Sequence, residues 1–144
     1  MIYVASSWRN KYQPGVVGGL IHMGLDVYDF RNEIDGFHWS DIDPEWESWS
    51  LEDYRKALEH PLAKAGFDSD FDAMKASYAC LLVLPCGRSA HLEAGWFVGQ
   101  GRPVFVYSPE EEEVEPELMY KMCTMVSCRL DTIVAKLIEI EHTK

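Results

Sequence analysis

The sequence predicts an α/β protein of 144 residues with one sheet, mostly parallel, and helices packed on both of its faces. Two observations lead there. Short apolar runs alternate along the chain with stretches in which apolar residues recur at helical spacing, the pattern of repeated βαβ units. The central run, Leu81–Leu84, is apolar throughout and closed by Pro85, as a strand covered on both faces must be. The length suits one hydrophobic core, so the expectation is a single Rossmann- or flavodoxin-like domain over residues 1–144, with five strands in the order 2-1-3-4-5.

Ile2–Ala5 is read as the first strand, followed by the polar turn Ser6-Ser7-Trp8-Arg9-Asn10 at the sheet's ligand edge. Pro14 suits a first helical turn, and Val16, Val17, Leu20 and Ile21 share an apolar face until Gly24 ends the helix. Gly15, Gly18 and Gly19 lack the G-x-G-x-x-G order, so they indicate close helix packing and no dinucleotide fingerprint. Leu25–Phe30 is the second strand, and its end brings Asp29 and Arg31 to the same edge.

From Glu33 to Trp49 periodicity disappears, and Trp39, Trp46 and Trp49 stand among acids in an inserted loop around residues 33–50. Such a loop is either a lid or partner surface, or is folded down with its tryptophans in the core. His38 and the nearby carboxylates lack a second histidine or cysteine, and no metal is assigned. Ser50-Leu51-Glu52-Asp53 opens a helix in capping-box style that runs to about His60. After Gly66, the acids Asp68, Asp70 and Asp72 are alternative N-caps of a helix read as Asp72–Tyr78.

Cys80–Gly101 is the organising stretch: buried strand, a turn at Gly87, then an amphipathic helix with Ser89 as N-cap and Gly101 as stop. On this reading Glu93 lies in the helix's first turn at the carboxyl edge of a central strand, where open α/β sheets bind ligands. It either carries chemistry or complements the helix dipole. Pro103–Tyr107 is the next strand, Glu110–Glu113 a solvated loop, Glu115–Met122 a short helix and Thr124–Cys128 an edge strand. Arg129–His142 closes the chain as an amphipathic helix.

Acidic residues number 24 against 13 basic ones, a net charge of −11, which argues against long nucleic acid. A small nucleotide stays open, because one or two cations and backbone N–H groups hold a phosphate. No apolar run approaches the roughly 20 residues of a membrane helix, and the N-terminus shows no signal pattern, so a soluble cytoplasmic protein is expected. Cys80, Cys86, Cys123 and Cys128 show no C-x-x-C spacing and are read as reduced thiols.

Three segments together resemble the nucleoside 2-deoxyribosyltransferase superfamily, which includes N-glycosidases of deoxynucleoside monophosphates. Ile2-Tyr3-Val4-Ala5-Ser6-Ser7-Trp8 looks like its first strand and pocket loop, Asp72 is similar in placement to its helix-borne aspartate, and Ser89-Ala90-His91-Leu92-Glu93-Ala94-Gly95 resembles its nucleophile segment. The resemblance implies Glu93 as nucleophile, Asp72 as second carboxyl and Tyr3 as the group orienting Glu93. It also implies a substrate pocket of Ser6, Ser7, Trp8, Arg9, Arg88 and Ser89, with serines and an arginine available for a 5′-phosphate, and Asp29 is added to it from its place at the same sheet edge. Gly87-Arg88 stands where transferases of the family often carry an acid that reads the base. A nucleoside or nucleotide substrate follows from the same resemblance, no cofactor is expected, and a homodimer or larger homo-oligomer is expected both from it and from Gly95 and Gly99, which lie on nearly one helix face.

N-glycosidic cleavage passes through an oxocarbenium-like centre that a carboxylate can capture as an ester. Each assignment has a structural alternative: Tyr3 as a packed strand residue and Asp72 as a helix cap. A nucleotide-binding module or a protein-interaction domain could use the same fold. Cys86 with His91 lacks a third orienting group for thiol catalysis.

Overall fold

In the computed structural model, which describes residues 1–32 and 36–144, five strands form one sheet in the order β2-β1-β3-β4-β5. They are β1 (Ile2–Ala5), β2 (Val27–Tyr28), β3 (Ala79–Val83), β4 (Val104–Tyr107) and β5 (Met125–Ser127). Every neighbouring pair is parallel, so the sheet is wholly and not mostly parallel. β1 and β3 are buried along their whole length, which explains their unbroken apolar sequence. The chain divides into two units, Met1–Asp29 with Ala76–Lys144, and Phe30–Lys75.

The first unit holds the sheet with helices α1 (Gln13–His22), α4 (Arg88–Gly99) and α5 (Leu130–His142). Between them in the chain, α2 (Leu51–Leu58) and α3 (Pro61–Ala76) belong to the second unit up to Lys75. Strand alternation sorts the faces. Ile2, Val4, Leu81, Val83 and Phe105 form one core with Val17 and Leu20 of α1 and Ile133 and Leu137 of α5. Tyr3 points the other way, stacked on Tyr28 at 5.3 Å and tilted against Phe97 of α4 at 5.8 Å. Phe97 is fully buried, and truncating it to alanine should cost about 3–5 kcal/mol.

Two boundaries differ from expectation in ways that bear on the site. β2 is only two residues long: the Leu25 N–H bonds back to the Leu20 carbonyl of α1, and Asp29 lies beyond Tyr28, the last residue paired with β1. Helix α4 begins at Arg88 with Gly87 as its N-cap, so Ser89 is its second residue and Glu93 its sixth, in the second turn and not the first. Gly101 does end the helix, at φ +69°, and the Arg102 N–H donates back to the Phe97 carbonyl at 3.0 Å.

In the second unit, Ser50 and Asp53 form the expected capping box of α2. α3 is longer than read, running from Pro61 straight through Gly66. This glycine is a packing position, since a Cβ there would lie 2.9 Å from the Phe37 Cβ. The aspartates read as N-caps are therefore inside the helix, where Asp68 pairs with Lys64 at 2.6 Å and Asp72 with Lys75 at 3.0 Å. The tryptophan loop, whose residues 33–35 lie outside the described residues, contains short 3-10 turns at Trp39–Asp41 and Trp46–Ser48. Trp39 meets Phe37, Trp49 and Tyr54 edge-on within 5.8 Å, and Trp49 Nε1 donates to Asp43 at 2.8 Å, so these rings pack on one another.

Candidate active site

From β1 the chain crosses outward to β2 and returns to β3 on β1's other side, so the loops after β1 and β3 diverge. The crevice this leaves at the carboxyl ends of the strands is where such sheets bind ligands. A cleft of about 530 Å³ lies there, wholly within the first unit. Arg9–Tyr12 form one wall, Leu84–Cys86 another, and His91, Glu110 and Tyr120 are among the residues that close it.

Asn10, read only as a turn residue, holds the two loops together. It is buried, its Nδ2 donates to the carbonyls of Val83 and Pro85 at 3.2 and 3.0 Å, and its Oδ1 accepts from the N–H groups of Tyr12 and Gln13. An asparagine a few residues ahead of a helix-opening proline was the available signal for this local capping role. Ser6 adds a third tie, donating to the Val83 carbonyl at 2.9 Å.

Beside the cleft, on the α4 face of the sheet, the Tyr3 hydroxyl donates to Glu93 Oε2. The ring that carries this donor is buried and held between Tyr28 and Phe97, so the half-buried carboxylate is gripped by a group with little freedom of its own. Glu93 is not part of the cleft lining, whereas His91, two residues earlier on α4, is.

No protein-family model matches the sequence, and no curated protein does. Among solved structures, a 2-deoxyribosyltransferase from the psychrotolerant bacterium Bacillus psychrosaccharolyticus superposes with a TM-score of 0.61, covering 92% of this chain and 89% of that one at 19% identity. The chain has the 2-deoxyribosyltransferase fold. The likeness concerns the path of the backbone, and the site in this 2-deoxyribosyltransferase fold is argued from its own residues.

Of the residues singled out in the sequence, the fold brings Tyr3 and Glu93 into contact and puts Arg9 on the cleft. Ser7 accepts from the Arg9 N–H at 3.2 Å, Trp8 is 48% exposed, and Asp29 accepts from Gln13 Nε2 at 2.7 Å. Arg88 and Ser89 are exposed in the first turn of α4. Asp72 belongs to the second unit, where it is exposed and ion-paired with Lys75.

The thiols of Cys80 and Cys86 are poor nucleophiles. Burial, and then the charge of Glu93, pushes the Cys86 thiol up to about 12 and the wholly buried Cys80 well above its ordinary value. Cys86 Sγ lies 3.7 Å from His91 Nδ1, but that nitrogen is 2.8 Å from the Gly87 carbonyl, so the histidine is committed elsewhere. Among the described residues no three His, Cys, Asp or Glu side chains gather as a metal site, and no helix is long and apolar enough to cross a membrane.

Proposed function

We propose that the protein cleaves or transfers at the N-glycosidic bond of a nucleoside or nucleoside 5′-monophosphate, through a covalent glycosyl ester on Glu93. The observation that carries this reading is the Tyr3–Glu93 contact: a carboxylate oriented by a buried hydroxyl at the ligand side of a 2-deoxyribosyltransferase fold. A Glu93 oxygen bonds to the anomeric carbon, the C–N electron pair departs with the base, and the base takes up a proton. Water or a second base then displaces the ester and restores the carboxylate. Tyr3 is a positioning residue, Asp72 is assigned the second carboxyl on resemblance, and a homo-oligomer in a cytoplasmic setting is part of the same proposal.

The test is incubation with 2′-deoxynucleosides and their 5′-monophosphates, with and without a second base. Base release or exchange is expected, together with a glycosyl adduct on the peptide containing Glu93. Absence of turnover on every substrate, with ligand binding intact, would make the protein a nucleotide-binding module.

A further inference from the structure

The cleft beside α4 holds a second tyrosine pair that the glycosidic scheme does not use. His91 Nδ1 is 2.8 Å from the Gly87 carbonyl oxygen, and a carbonyl only accepts, so Nδ1 carries the proton of the neutral ring. Nε2 is then an acceptor, and the Tyr120 hydroxyl, 2.8 Å away, gives it its one proton. The two rings stack at 5.8 Å and 13°, which holds them as a unit. Tyr120 lines the cleft and therefore offers it lone pairs and no donor. Burial above all, with smaller contributions from Cys86 and Glu117, pushes this hydroxyl up to about 12, so the proton stays on it.

The surrounding wall has the same polarity. Glu110, Glu113, Glu115 and Glu117 line the cleft together with Arg9 and Lys11, and Lys11 is already 3.9 Å from Glu110. Pro85, Pro109 and Pro116 add flat apolar surface. The cleft is thus sized for a small ring ligand, and its charged lining is mostly acceptor, four glutamates against Arg9 and Lys11.

We propose that Tyr120, oriented by His91, is a specificity-determining residue, and that this cleft takes the amino-bearing edge of a nucleobase, an inference that rests on the glycosidic reading for its choice of ligand. An exocyclic amine donates into such a wall. An oxo group at the same place sets its lone pairs against those of Tyr120 and leaves only the neighbouring ring N–H to donate, a mismatch worth about tenfold in affinity or more.

Calorimetry on the full chain with matched pairs tests this: 2′-deoxycytidine against 2′-deoxyuridine, and 2′-deoxyadenosine against 2′-deoxyinosine, at about pH 8. The amino member of each pair should bind about tenfold tighter or more, and Tyr120→Phe, which keeps the ring stack, should erase most of that ratio. His91→Phe reads the same contact from its other side and should also reduce the ratio, which covers a folding failure of the first variant. No preference in the wild type, no binding of any of the four, or a ratio unchanged in the folded variants overturns the inference. An amino preference without C–N cleavage removes the glycosidic reading and leaves this one standing, and cleavage without preference does the reverse.

Discussion

Tyr3 and Tyr78 each donate a hydroxyl to a glutamate on a helix that packs on the sheet. Tyr78 stands just ahead of β3, where its N–H meets the Met1 carbonyl, and its hydroxyl reaches Glu141 near the end of α5 at 2.5 Å. Lys144 Nζ covers its ring at 3.2 Å. That pair ties the amino edge of the sheet to the last helix. The Tyr3 pair instead joins β1 to α4, the helix that leaves the carboxyl end of β3 at the switch point. The same two side chains are thus a clamp at one edge and a candidate nucleophile with its orienting donor at the other. A tyrosine–glutamate contact says little about chemistry until its edge of the sheet is known.

The comparison breaks first at Glu93. Glu93→Gln keeps an acceptor for Tyr3 and removes the charge, so turnover should fall by at least about 10³-fold with stability within about 1 kcal/mol of wild type. Full turnover in a folded variant would reduce the pair to a second clamp. Asp72→Asn comes next. As the second carboxyl it should lose about 10²-fold or more, whereas an exposed partner of Lys75 should leave turnover unchanged and stability within about 0.5 kcal/mol. Steady-state kinetics and a denaturant curve on the same preparation separate these.

Tyr3→Phe should be milder and more informative about mechanism. Loss of one oriented donor is worth about 10²-fold in kcat, with KM nearly unchanged if Tyr3 acts only through Glu93. Equal losses in both parameters would instead place the hydroxyl on the substrate.

The sequence made the sheet legible because burial on both faces leaves an unmistakable mark: Ile2–Ala5 and the central run around Leu81–Leu84 needed no context, and the strand order follows from right-handed crossovers. Errors arose where a local signal had a nonlocal cause. The stretch from Pro61 to Gly66 reads as a break between two helices because proline and glycine punctuate them, yet Pro61 opens α3 and Gly66 serves the approach of Phe37. Ser89 read as a cap because serine prefers that position, yet the cap is Gly87, two residues earlier and without any side-chain cap bond, and Glu93 moves into the second turn. Tyr3 and Glu93 could be joined beforehand only by resemblance, since a contact across 90 residues leaves no periodic trace. His91 and Tyr120, 29 residues apart, had no motif to bring them together.

The smallest effect should come from the amino-edge pair, and its sign with pH is fixed by its two shifts. The Tyr78 hydroxyl holds Glu141 below the usual carboxylate range, with burial pulling the other way. The glutamate is therefore favoured ionised in the folded state, and its contribution is present above the ordinary carboxylate value and lost as pH falls through the lowered folded one. Tyr78 is raised, by burial first and Glu141 second, so its contribution is present below the ordinary phenol value and lost as pH rises toward the folded one. Both contributions are in place near neutrality. Urea curves at about pH 7 should show Tyr78→Phe and Glu141→Gln destabilised by about 1 kcal/mol or less, because solvent screens this partly exposed pair. For Glu141→Gln the difference from wild type should shrink at about pH 3, where carboxylates protonate. Neither variant should change turnover by more than about twofold. A large loss of activity from either, or a stability difference undiminished in acid, would erase the distinction between the two edges.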